Sequence, residues 1–220
     1  MIPDFEWVQF PNPLMAEDEG LITVGGDLSP SMLLSAYRQG LFPWYNEGEP
    51  VLWWCPNPRY ILPVGQVKIS KTMSQLLRKN EMELRVNTAF DSVIRCCGSI
   101  KREEQDGTWI TEDIINAYTQ LHRLGYAHSI ETWQAGELVG GLYGVAMGKC
   151  FFGESMFSKV SNASKFALIK LDSLLSEQNF VLIDCQIATE HLISMGAQGV
   201  PRFQFLNILK KNTLEKLIMG

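Results

Sequence analysis

The chain has few of the residues from which metal sites and disulfide frameworks are built. Its three histidines, His122, His128 and His191, are scattered, and its five cysteines, Cys55, Cys96, Cys97, Cys150 and Cys185, are odd in number with no C-x-x-C spacing. Neither a metal site nor a disulfide framework is expected, and the cysteines read as reduced, mostly buried thiols. Long apolar runs are absent too, with no stretch approaching the roughly 20 residues that span a bilayer. The N-terminal Met-Ile-Pro-Asp-Phe-Glu has neither the basic flank nor the apolar stretch of a secretory signal, so a cytoplasmic protein with no membrane association is expected. An excess of positive charge is also missing. The formal charge of −5 argues against indiscriminate nucleic-acid binding, although it says little about a local patch. No internal repeat is visible. What remains is 220 residues, 46% of them hydrophobic, with mean hydropathy near zero. That composition describes one ordinary globular domain, or a domain with a small companion.

The most informative stretch is Phe180-Val-Leu-Ile-Asp-Cys-Gln186. Its β-branched apolar run predicts a buried strand, and residues two apart on a strand share a face, so Asp184 and Gln186 stand together while Cys185 points away. A carboxylate beside a carboxamide suits the handling of an amine: Asp184 accepts from the side-chain amide nitrogen, which turns the Gln186 carbonyl oxygen outward to accept from a substrate. The same two residues would equally serve to cap the strand and satisfy loop amides. A second feature is Lys68-Ile-Ser-Lys71-Thr-Met-Ser-Gln-Leu-Leu-Arg78-Lys79, with four cations and no acid in twelve residues. Ser70 is placed to cap a helix over 70–79 whose Met73, Leu76 and Leu77 face inward. Its basic face is either simply solvated or a nucleic-acid contact.

Along the chain, residues 1 to 20 carry no periodic pattern and read as a surface segment or the start of an edge strand. Ser29-Pro30 opens a short helix ended by Gly40. Trp44, Trp53 and Trp54 then fall between prolines and a glycine, in a segment that cannot be a regular helix. Such aromatics either plug a core or line a pocket. A boundary is placed near residue 62, separating a small N-terminal domain (1–62) with aromatic loops from a larger one (63–220). The larger part reads as a strand at 83–87, a helix at 89–97, a loop containing Gly107-Thr-Trp-Ile110, and a helix at 112–124 capped by Thr111. Strands at 128–134, 137–147 and 150–156 form an antiparallel meander, followed by an amphipathic helix at 162–178. After the Asp184 strand come a short helix at 189–195 and a strand at 203–206. This order predicts an α+β fold with a mostly antiparallel sheet rather than alternating βαβ units.

Three glycines inside the strand Leu138-Val-Gly-Gly-Leu-Tyr-Gly-Val145 mark a bulge, a close approach to the backbone, or tight sheet packing. In the next strand, alternation puts Phe152, Glu154 and Met156 on one face. A carboxylate there needs a partner, either an arginine or a ligand hydroxyl or ammonium. Met147 and Met156 add adaptable apolar surface.

The strings Gly-Gly-Asp-Leu-Ser-Pro (25–30), Gly-Leu-Phe-Pro-Trp-Tyr (40–45), Leu-Trp-Trp-Cys-Pro-Asn-Pro-Arg (52–59), Gly-Thr-Trp-Ile (107–110), His-Ser-Ile-Glu (128–131), Leu-Val-Gly-Gly-Leu-Tyr-Gly-Val (138–145), Gly-Glu-Ser-Met-Phe-Ser (153–158), Asn-Ala-Ser-Lys (162–165) and Leu-Ile-Asp-Cys-Gln (182–186) stand in the order found in another group of proteins. Together they closely resemble the leucyl/phenylalanyl-tRNA-protein transferase family, from about Leu21 to Leu206. Cys55 stands where serine is expected, and the tail from Lys210 to Gly220 matches nothing in that pattern. The resemblance implies a bacterial cytoplasmic enzyme with a small N-terminal domain and an acetyltransferase-like (GNAT-like) C-terminal domain. It implies transfer of Leu or Phe, less readily Met, from aminoacyl-tRNA to the α-amine of proteins beginning with Arg or Lys, giving a destabilising N-terminus for N-end rule degradation. Neither a metal nor a small cofactor is implied. Carried over by position, Asp184 and Gln186 orient and deprotonate the amine. Trp44, Trp109, Glu154 and Met156 surround the aminoacyl-adenosine, and Lys68, Lys71, Arg78 and Lys79 contact the tRNA backbone.

Two other classes compete. An acetyl-CoA-dependent N-acetyltransferase would share the fold, but its glycine-rich pyrophosphate loop leading into a helix is not found before residue 162. A non-catalytic peptide or RNA-binding module would use the aromatic loop and the basic helix while leaving Asp184 and Gln186 without a task.

Overall fold

The computed structural model describes residues 6–99 and 109–213. Gly107 and Thr108 of the tryptophan loop, and the tail from residue 214 onward, lie outside these. A 3-10 turn at Pro13–Met15 leads to β1 (Leu21–Val24), α1 (Pro30–Arg38), β2 (Phe42–Pro43) and β3 (Leu52–Trp54), and the three strands form an antiparallel sheet in the order β1-β3-β2. The tryptophan-rich segment is therefore partly strand, with Trp53 fully buried against Phe10 and its indole Nε1 donating to Gly25 O. There follow β4 (Arg59–Pro63), α2 (Lys71–Lys79), β5 (Glu83–Val86), α3 (Phe90–Ser99), α4 (Glu112–Arg123), β6 (Ala127–Gln134), β7 (Glu137–Met147), β8 (Cys150–Ser158), α5 (Ala163–Glu177), β9 (Leu182–Gln186), α6 (Glu190–Ser194), β10 (Gln198–Val200) and α7 (Arg202–Asn212). The fold is α+β.

Seven strands make the large sheet, in the order β10-β4-β9-β8-β7-β6-β5, and every pair is antiparallel except β8 with β9. The expected antiparallel meander β6-β7-β8 is present, with the turn at Gly148-Lys149 between β7 and β8. One apolar cluster joins the N-terminal sheet to α1, α3, α4 and one sheet face; a second packs α5 and Met73 of α2 against the other. Helix starts follow local chemistry: Ser29, Ser70, Thr111 and Thr189 each accept the backbone N–H three residues on. The start of α3 is held differently. Glu131 reaches from β6 to accept from the backbone N–H groups of Thr88 and Ala89, both at 2.8 Å, and from the hydroxyls of Thr88 and Ser129 and the indole of Trp133. Burial raises the carboxyl's proton affinity, but these donors outweigh it and leave Glu131 below the ordinary range.

The strand glycines separate into distinct roles. A Cβ on Gly140 would lie 2.5 Å from Ala163 Cβ, so this residue lets α5 begin against the sheet. At Gly144 a Cβ would lie 2.2 Å from Phe152 O, next to a register shift between Tyr143 and Gly144. Gly144 pairs with Gly153 and Tyr143 with Ser155, so Glu154 is an extra residue on β8, a β-bulge. The expected alternation is corrected by it: Phe152 and Phe157 belong to one core cluster, whereas Phe151 belongs to the other and Met156 packs against it.

A second correction concerns residues 203–206, which are helix rather than strand. Pro201 precedes the helix, and Arg202, Phe205 and Leu209 are buried at helical spacing while Phe203 stays exposed. The terminal sheet strand is instead the short β10.

Candidate active site

The parallel strands β8 and β9 pair only from Cys150–Leu182 to Phe152–Asp184. Beyond that point both are occupied by site residues, and the space along them is a cleft of about 530 Å3. Its walls include Trp44 and Trp109, Glu154 and Met156, and Asp184 and Gln186, with an apolar lining that includes Leu142, Leu168, Leu171, Ile183 and Leu192. The six residues singled out from the sequence therefore surround one cavity. Trp44 is positioned through its backbone, since its carbonyl accepts from Trp54 Nε1 at 2.7 Å.

Glu154 is aimed by the bulge. Tyr37 OH lies 2.7 Å from its Oε1 and Tyr118 OH 3.1 Å from its Oε2, and the two hydroxyls also contact each other; they carry two protons for these three contacts, and the carboxyl's own proton completes the set when it is present. Gln186 Nε2 lies 3.4 Å from Oε1. Glu154's partners are thus two hydroxyls and a carboxamide, not an arginine. Burial raises its pKa to about 7; the tyrosine hydrogen bonds and Arg59 act the other way, and Asp184 adds to the rise. Burial also lifts both tyrosines well above their ordinary value, so they remain protonated donors at neutral pH.

Asp184 is fully buried, and both of its oxygens are engaged by one arginine. Its Oδ1 accepts from Arg59 Nε at 2.8 Å and its Oδ2 from Arg59 Nη2 at 2.6 Å. The link to Gln186 runs through backbone: Gln186 N–H donates to Asp184 Oδ1 at 3.0 Å, and Gln186 has φ +57°. The expected side-chain contact between the two is replaced by this one, because the left-handed backbone at Gln186 swings its carboxamide toward Glu154. Arg59 has its guanidinium carbon 4.7 Å from the ring centre of Phe42 and 4.6 Å from that of Phe205. Burial opposes its charge, but the adjacent Asp184 prevails and holds the guanidinium above its ordinary pKa.

Lys68, Lys71, Arg78 and Lys79 are all exposed and lie outside the cleft lining. Of the four, Lys68 is tied to the cavity's surroundings through its backbone: its N–H donates to Met195 O at 2.8 Å, just past α6, whose His191 and Leu192 line the cavity.

The family description "Leucyl/phenylalanyl-tRNA protein transferase" matches residues 61–210, and that of its N-terminal domain matches residues 26–57. The chain belongs to this family. A relative named leucyl/phenylalanyl-tRNA–protein transferase from Syntrophus aciditrophicus is 52% identical over 213 residues, covering 97% of this chain and 89% of its own. One of the same name from Nitrosomonas eutropha is 54% identical over 199 residues, covering 90% and 85%. A solved chain from Staphylococcus epidermidis, described as functionally unknown, shares 10% identity at a TM-score of 0.40 over 82% of this chain and 68% of that one, too loose a likeness to bear on function. Three residues of this transferase-family site were not singled out by sequence reasoning: Arg59, Tyr37 and Tyr118. Arg59 closes the Pro-Asn-Pro-Arg string, and two tyrosines on separate helices give no local signal. Among the described residues, no group of three or more metal-ligating side chains is assembled, and no helix is long and apolar enough to cross a membrane.

Glu154 carries a pH prediction. A carboxyl raised to about 7 is neutral below that value and ionised above it. The kcat/KM profile for aminoacyl transfer is expected to rise through an inflection near pH 7 that vanishes in Glu154→Gln. A profile unchanged by the substitution would remove Glu154 from the rate-determining ionisation.

Proposed function

We propose that this protein is an aminoacyltransferase that moves Leu or Phe, and less readily Met, from aminoacyl-tRNA to the α-amine of proteins with N-terminal Arg or Lys. The product then bears a destabilising N-terminus for N-end rule degradation in the cytoplasm. The observation that carries the reading is the Gln186 carboxamide, which lines an apolar cleft together with Trp44 and Trp109 and has its nitrogen engaged by Glu154. That arrangement leaves its Oε1 to accept from an incoming amine. The amine nitrogen attacks the ester carbonyl carbon, the bond to the terminal ribose oxygen of the tRNA breaks, and one proton passes from the amine to that oxygen. Because the ester is already activated, the protein has to position the amine and manage that proton. The apolar cleft suits a Leu, Phe or Met side chain, and each methylene discriminates by about 1–3 kcal/mol. No cofactor enters the reading. A mostly antiparallel sheet with one parallel pair that stops pairing at the cleft supports the GNAT-like description of the larger part.

The test is transfer of radiolabelled leucine from Leu-tRNA to peptides that differ only in an N-terminal Arg or Ala. Label on the Arg peptide alone is expected; no label, with tRNA and peptide intact, would sink the proposal. Lys68, Lys71, Arg78 and Lys79 are assigned to the tRNA backbone within this reading. Neutralising Lys71 and Arg78 together is expected to reduce the log–log salt slope of tRNA binding by roughly 1.4 to 1.8. An unchanged slope would take the patch out of the tRNA site.

A further inference from the structure

We propose that Arg59 is the positioning residue of the transfer site, fixing Asp184 and through it the backbone turn that aims Gln186. This rests on the reading of Gln186 as the group that meets the amine. Arg59 lies on β4, beside β9, and grips both oxygens of Asp184 side-on at 2.8 and 2.6 Å, with both side chains fully buried. Oδ1 is shared: it also accepts the Gln186 N–H at 3.0 Å. Gln186 holds φ +57°, a region disfavoured for a residue with a Cβ, so its conformation has to be imposed by surrounding contacts. The Asp184 oxygen is one such contact, and its own position is set by the planar fork of Arg59.

Two aromatic rings also pack against the guanidinium. Phe42 comes from the small sheet and precedes Pro43 and Trp44 at the cleft, while Phe205 comes from α7 and lies outside the cleft lining. Arg59 thus contacts β2, α7 and β9 at once, and the β9 contact is Asp184, whose oxygen accepts the Gln186 N–H. Its Nη1 is buried with no hydrogen-bond partner among the described residues. An unsatisfied buried donor lowers stability, and departures of that kind concentrate at functional sites. A lysine would keep the charge but lose the two parallel hydrogen bonds, so it separates geometry from electrostatics.

The experiment measures kcat and KM for Leu-tRNA and an N-terminal Arg peptide, together with the thermal midpoint, in wild type, Arg59→Lys, Phe205→Leu and the double variant. In Arg59→Lys, kcat is expected to fall about 100-fold with both KM values within about threefold, as for a misplaced reacting group in an intact binding cleft. Phe205→Leu, which leaves the Arg59–Asp184 bonds in place but loosens their clamp, is expected to lower kcat about three- to tenfold. The double variant should fall short of the product of the single effects. If Arg59→Lys does not fold, Phe205→Leu decides. A folded variant of either kind with kcat within about twofold of wild type, or with KM rising in step with the loss of kcat, overturns the inference. Wild-type protein that transfers no leucine at all overturns the functional reading, and this inference with it.

Discussion

Gln186→Ala is expected to lower kcat for leucyl transfer by about 100-fold or more, with the fold intact and the KM for aminoacyl-tRNA little changed. The argument is geometric. The Gln186 nitrogen is engaged by Glu154 and its backbone N–H by Asp184, so the remaining function of the side chain is to present Oε1 at the cleft. Alanine removes that acceptor while keeping the backbone bond to Asp184, and the cleft's apolar lining is untouched. Gln186→Glu extends the test, because it keeps the acceptor but places a second carboxyl 3.4 Å from Glu154 Oε1. Two carboxyls at that distance do not both ionise readily, so activity in this variant should depend more steeply on pH than in wild type. Steady-state kinetics over pH 5.5 to 9, roughly the window in which these carboxyls and the amine titrate, reads both effects. Wild-type kcat in the alanine variant would remove Gln186 from the chemistry.

Asp184→Ala is expected to lower stability as well as to abolish transfer. It leaves the Arg59 guanidinium charged, fully buried and without its counter-ion, a loss of about 3–5 kcal/mol. For a chain of this length that corresponds to a thermal midpoint lower by roughly 6 to 20 °C. The compensating experiment is the double variant Asp184→Leu, Arg59→Met, which removes both charges and fills the space with apolar atoms. Its stability is expected to return close to wild type, since two apolar groups of similar volume can replace a buried ion pair at little cost, while transfer activity stays lost. Urea denaturation of the single and double variants measures the coupling. An Asp184→Ala protein as stable as wild type would show that the buried pair contributes little.

The two variants separate roles that the sequence assigned jointly. Asp184 and Gln186 stand two residues apart on one strand, and the alternation of a strand is enough to place them together. That each oxygen of Asp184 is committed to Arg59 is not a local property, because the partner lies 125 residues away in sequence. Glu154 shows the same limit. Its need for a partner follows from a carboxylate set among large apolar residues, but Tyr37 and Tyr118 stand 117 and 36 residues away on two helices.

Much of the architecture was legible because it follows from interactions within a few residues. Ser29, Ser70 and Thr111 cap their helices through bonds to the N–H three positions on, and β6, β7 and β8 follow from apolar alternation broken by tight turns. The failures came where local pattern is ambiguous. Phe203-Gln-Phe205-Leu206 is too short for its apolar residues to distinguish a strand from one turn of helix, and burial of Arg202, Phe205 and Leu209 against the N-terminal part settled it. The bulge at Glu154 cannot be read locally either, since an extra residue is defined only by the register of the strand opposite. From the sequence alone came most of the elements and their caps, which are short-range, and, through the family pattern, the residues of the cleft. Tertiary structure alone decided how Asp184, Gln186, Glu154 and Arg59 divide the work, because their charges and hydrogen bonds are satisfied between strands and helices far apart in the chain.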